Sequence, residues 1–270
     1  MTLRDMERPL PLLDASRRVF DLALEGMIWS RRSLLMAILL GLPALFALLY
    51  RVVTVSKGSP PISADDLYGQ LVALYWIRNV VPLAALFYAT SLVADEVDGK
   101  TITYLLTRPI PRASILAGKF AAYLATTLAL SLPATVLTFF ILATASGSEG
   151  IGPRVGDLLR DLGVVALALA AYGALFTLLG VVLRRPVIPG LLFLFVWEFT
   201  ANLPGYAPRL TLTAYLRSLI RHRIADEGIF GMPVEILPAP LSLAVLGLSS
   251  IVFLGAALWI FSTREYVLES

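Results

Sequence analysis

Long apolar runs alternate with short polar segments along this chain. Six runs reach the length of a membrane helix: 33–50, 71–94, 120–144, 162–183, 187–203 and 241–262. A membrane helix needs about 17–25 mostly apolar residues. None of the runs shows the apolar–polar alternation of a barrel strand. The pattern therefore predicts an all-α integral membrane protein of six spans, since helices satisfy their own backbone groups in lipid. Ahead of the first run, residues 10–29 carry Val19, Phe20, Ala23, Leu24, Met27 and Ile28 at helical spacing, with Arg17, Arg18, Asp21 and Glu25 on the other side. That stripe predicts an amphipathic helix lying in the membrane interface. A second stripe, 210–224, sets Leu212, Tyr215, Leu216, Leu219, Ile220 and Ile224 against Arg217, Arg221 and Arg223. It predicts an interfacial helix on the outer face, before the last span. The loops 51–70 and 145–161 are irregular and too short for a folded unit. Residues 1–270 are read as one membrane domain.

Composition agrees with this reading. The chain is 58% hydrophobic and 15% charged, against about 45–50% and 25% in soluble domains. There is no cysteine, so no disulfide, thiolate metal site or thiol nucleophile is available. The lone His222 reads as a surface residue, and one histidine makes no metal motif. The net charge of +3 comes without a long basic cluster, which argues against a nucleic-acid partner. With the N-terminus inside, most Lys and Arg residues fall in inner segments, Arg31 and Arg32 before the first span and Lys100, Arg108, Arg112 and Lys119 around the third among them. This bias predicts a multi-pass protein of the cell's inner (plasma) membrane with both termini cytoplasmic. The first run starts behind an Arg-bearing stretch with no A-x-A-like site after it, so it is expected to stay as an anchor.

The polar segment 95–114 stands out between the second and third runs. Gly99-Lys100-Thr101 ends like a phosphate-binding loop, but Ala94 stands where that loop needs glycine, and a membrane helix precedes it. No nucleotide site, cofactor or metal is expected in this chain. Gly99 instead suits the end of a helix. A short helix with an apolar stripe of Ile102, Leu105 and Leu106 follows, closed by Arg108-Pro109 and Pro111-Arg112. A stiff apolar knob rimmed by charge could fill a groove on a soluble partner. A loop folded onto the membrane surface would carry the same residues, and physics alone leaves both open.

Glu96, Gly99, Leu105, Leu106, Arg108, Pro109 and Arg112 together resemble the cytoplasmic loop of ABC-2 type transporter permeases. The stretch 196–219, span number and the N-terminal amphipathic helix are similar to the same family. The resemblance implies that 95–114 is a coupling segment contacting a separate ATP-hydrolysing subunit, which would hold ATP and Mg. It also implies a second permease chain, as a homodimer or heterodimer, and no catalysis by this chain itself. The large outer domains of some members are missing, so the resemblance leaves the substrate open. The resulting expectation is the permease of an ATP-driven exporter. Rival classes are an intramembrane protease or lipid hydrolase, which needs buried Ser–His or paired carboxylates, and a secondary transporter, which would show inverted repeats. Neither signature stands in the sequence.

Arg78 and Glu198 are the two charges well inside the runs. Such groups cost several kcal/mol unless paired or hydrated. Counted from the expected outer ends, both lie roughly 10 Å deep. They are expected to form a structural pair or snorkel outward, or else to serve as a gate or a polar substrate contact. Asn79 and Asn202 would extend the network. Pro43, Pro82 and Pro133 are expected to bend their helices.

Overall fold

A computed structural model describes residues 12–28, 30–57, 62–98, 111–145, 151–203, 205–222 and 236–263. Among these residues every regular element is helical. Helix α1 (Leu12–Ile28) is amphipathic. Ser30 follows it, and its hydroxyl bonds the Met27 carbonyl at 2.9 Å and accepts the Ser33 amide at 3.1 Å, capping helix α2 (Arg31–Lys57). The Tyr88 hydroxyl bonds Ser33 Oγ at 2.6 Å and fastens this corner to the next helix.

Helix α3 covers 64–98 in three windings: Ala64–Gln70, a π-wound stretch Leu71–Val80, and Val81–Asp98. Ser63 caps its start by accepting the Asp66 amide, with Asp65 and Asp66 in the first turn. The π winding ends just before Pro82, and Val81 donates its amide to Trp76, five residues back. Pro82 has no amide to offer the Arg78 carbonyl and its ring crowds that position. A wider turn before the proline removes the crowding. The Asn79 side chain also bonds the Leu74 carbonyl, taking up an acceptor that regular winding would have used.

Helix α4 (Arg112–Ala143) and helix α5 (Ile151–Val182) are 32 residues each. Along α4, the Thr127, Thr135 and Thr138 hydroxyls each bond the carbonyl four residues back, while the buried Thr126 and Ser131 hydroxyls of the same helix have no hydrogen-bond partner among the described residues. Helix α5 packs against α3, α4 and the last helix, α8 (Ala239–Thr263). Two glycines leave room for close neighbours on α4 and α3. A Cβ on Gly173 would lie 2.3 Å from the Tyr123 ring, whose hydroxyl bonds the Leu169 carbonyl at 2.8 Å. One on Gly180 would lie 2.9 Å from the Thr90 carbonyl oxygen.

Among the described residues, five stretches are long and apolar enough to cross a membrane: Ser33–Ser56, Ala64–Val93, Arg112–Ala143, Arg154–Val182 and Ala239–Thr263. The run 187–203, expected to be a regular span, differs. It forms α6 (Val187–Asn202), wound as α over Val187–Leu192, π over Phe193–Trp197 and 3₁₀ over Glu198–Asn202. At 1.5 Å per residue its sixteen residues reach about 24 Å, short of a hydrocarbon core of about 30 Å. A 3₁₀ turn (Ala207–Leu210) and helix α7 (Leu212–Leu219) follow.

Helix α7 departs from the expected flat interfacial helix 210–224. It ends at Leu219, with Ile220 extended. Leu212, Thr213, Ala214, Leu216 and Leu219 are buried, against α8, α5 and α3. The levels follow from contacts. Gly190 faces Leu86, Asn202 reaches Arg78, and His222 packs on Gly69. Helix α6 therefore climbs antiparallel to α3 and stops beside Arg78, roughly 20 Å along the helix from the start of α3. Helix α7 starts at that depth and runs on toward Gly69. The chain turns within the bundle, not beyond it.

Candidate functional site

A helix that begins inside a bundle has amides with no water to receive them. Glu198 answers that need for α7. Its Oε1 accepts the Leu212 amide at 3.2 Å and its Oε2 accepts the Thr213 amide at 3.1 Å. Thr211, the N-cap, accepts the Ala214 amide at 3.3 Å. The carboxylate is buried at 7% exposure, with the Tyr172 and Thr213 hydroxyls 2.8 Å apart beside it. A carboxylate on first-turn amides also meets the positive end of the helix dipole. The Trp197 indole donates to the Leu210 carbonyl at 3.2 Å and holds the turn between α6 and α7 closed.

Arg78 stands on the π-wound part of α3 and faces the same region. Arg78, Asn79, Leu83, Leu194, Phe195, Glu198, Phe199 and Thr213 line one cavity of about 230 Å³. Arg78 and Glu198 thus share a cavity, but no ion pair joins them. The Arg78 guanidinium donates to Asn202 Oδ1 at 3.4 Å, and Arg217 of α7 reaches the same oxygen at 3.5 Å. The acid is engaged by α7, and the base by an amide.

The far end of α7 is held separately. The Leu219 carbonyl accepts from Arg160 Nε at 2.5 Å, and the His222 Nε2 lies 2.8 Å from Asp161 Oδ2. Arg221 pairs with Asp157 at 3.6 Å, and Arg154 with Asp65 at 2.9 Å. The His222 ring packs edge-on to Tyr68, at 5.2 Å between centroids. His222 is thus a partly buried strut, where the sequence reading had a surface residue. Burial by itself lowers its pKa. The hydrogen bond that the ring donates to Asp161 and the charges of Asp161, Asp157 and Asp65 reverse this, so the net shift is upward. The Asp157/Asp161 spacing on α5, beside an Arg-His pair downstream, was the sequence signal for this contact.

At the opposite end of the bundle, α1 lies along the first turns of α4. A Cβ on Gly118 would sit 2.5 Å from the Ser16 carbonyl oxygen, so only glycine allows this approach. Lys119 Nζ donates to the Leu92 carbonyl at 3.0 Å and ties α4 to α3. Of the expected coupling residues, Glu96 lies in the last turn of α3 and Arg112 opens α4. Gly99, Ile102, Leu105, Leu106, Arg108 and Pro109 lie outside the described residues.

The family described as ABC-2 family transporter protein matches residues 52–266, from the last turns of α2 to the end of α8. The chain belongs to the ABC-2 transporter family. It is accordingly a multi-pass membrane component of an ABC transporter. A comparison with curated proteins gives no match. In this ABC-2 chain the family match includes every residue of the Glu198 and Arg78 cavity but leaves out α1.

Proposed function

We propose that this chain is the permease subunit of an ATP-driven exporter. The family match carries the reading. A separate ATPase, holding ATP and Mg, docks on the 95–114 segment, because the sequence offers no phosphate loop of its own. The base of that segment supports the role. There the end of α3, the start of α4 and α1 are joined through Lys119, Leu92, Gly118 and Ser16. A force applied between α3 and α4 passes into two long helices at once. Two such chains enclose the pathway, in the inner membrane, with both termini cytoplasmic.

The test is purification of the tagged full-length chain from its host, followed by a Mg-dependent ATPase assay. A soluble ATPase is expected to co-elute, and Glu96→Ala with Arg108→Ala is expected to reduce its yield while insertion is unchanged. Hydrolysis by the chain alone would overturn the proposal. Because the chain has no cysteine, single cysteines at Thr2 and Ser270 report topology. They are expected to resist an impermeant reagent in intact cells.

A further inference from the structure

The cavity beside Glu198 has two unlike walls. One is polar, with Arg78, Asn79, Thr213 and the Glu198 carboxyl, and the other is apolar, with Leu83, Leu194, Phe195 and Phe199. Arg78 and Asn79 are exposed, and Phe195 and Phe199 are 65% and 47% exposed. The nearby acid does not neutralise Arg78. Both Glu198 oxygens are turned to the α7 amides. Among the described residues no carboxylate forms an ion pair with Arg78, and its one hydrogen bond, to a neutral amide oxygen, is long at 3.4 Å. A second guanidinium, Arg217, converges on that same oxygen at 3.5 Å. Arg78 thus stands at the depth of apolar spans with no carboxylate paired to it among the described residues. Guanidinium forks match phosphate and carboxylate oxygens. The π winding that presents Arg78 and Asn79 is itself a feature frequent at functional sites.

We propose that this cavity binds the anionic head of an amphiphile, a phosphate or carboxylate on Arg78 and Asn79, with its hydrocarbon tail against Leu194, Phe195 and Phe199. This goes beyond the permease reading. No nucleotide or ATPase enters its test, so failure of one leaves the other standing.

The experiment titrates the full-length chain in neutral detergent with phosphatidylglycerol, with phosphatidylcholine of the same chains, and with a cationic lipid of the same chains. Retained lipid is counted by native mass spectrometry. Phosphatidylglycerol is expected to bind most tightly. Arg78→Gln is expected to weaken it about tenfold or more, the scale of one lost charge-assisted hydrogen bond. Arg78→Lys is expected to keep the preference for the anionic lipid in part. Leu83→Trp fills the cavity with every charge in place, and is expected to weaken binding similarly should Arg78→Gln fold poorly. Inorganic phosphate at equal concentration is expected not to displace the lipid, since it lacks the tail. Equal retention of the three lipids, unchanged binding in both Arg78→Gln and Leu83→Trp, or full displacement by inorganic phosphate would overturn the proposal.

Discussion

Glu198 carries two amides that have no other acceptor, which makes its contribution readable by substitution. Glu198→Gln keeps one oxygen and loses the charge facing the helix dipole, a cost of about 1 kcal/mol. Glu198→Ala leaves the Leu212 and Thr213 amides with no acceptor in the fold, at about 1–3 kcal/mol for each group. Thermal unfolding in detergent should therefore rank wild type above Gln and Gln above Ala. If Glu198 acted through Arg78, the double change Arg78→Gln with Glu198→Gln would recover stability lost in the single ones. With the acid on α7 and the base on Asn202, the double change should leave most of the loss caused by Glu198→Gln in place. Both residues stood out in the sequence as charges in apolar runs. Asn202, which meets Arg78, was legible beside it, but the partners of Glu198 were not, because Leu212 and Thr213 offer backbone amides, and a backbone amide has no signature in a string of side chains.

At the scale of elements, α7 is fastened by an acid at each end, Glu198 at its start and Asp161 just past its finish. The second fastening depends on pH. His222 has a raised pKa in the folded state, so its stabilisation is fully present below the unfolded value of about 6.5 and is lost as pH rises through the folded value. The gap in thermal midpoint between wild type and His222→Asn should be largest near pH 6 and shrink toward pH 9. A gap that widens with rising pH would contradict the protonated pair. Helices α2, α3, α4, α5 and α8 were legible from apolar runs, because burial in lipid and burial in protein demand the same side chains. The changing winding of α6 and the inward course of α7 were not. Apolar content reports whether a segment is buried, not how tightly it is wound or at what depth it turns. Pro82 was visible as a bend, but its relief by a π turn depends on Asn79 reaching the Leu74 carbonyl. The 210–224 stripe ran past Leu219 because Ile220 and Ile224 keep the helical spacing, while the chain leaves the helix to bring His222 onto Gly69.

At the scale of the whole molecule, the bundle has long helices around most of its wall and one short one. Helix α6 exposes Ile188, Leu192, Phe195, Val196 and Phe199, an apolar flank that ends in a turn at the depth of Arg78. Helix α4, in contrast, is long enough for about 48 Å. A bilayer wetting this protein cannot keep one thickness around it. Beside α6 the leaflets must draw together to match the short flank, at a cost of fractions of a kcal/mol per Å of mismatch. The expected result is a local dimple in the lipid collar, where the barrier to a polar headgroup would be lowest. Reconstituted into phosphatidylcholines of increasing acyl length, the chain should lose thermal stability as the bilayer thickens. Lengthening α6 by one helical turn should move that optimum toward longer lipids.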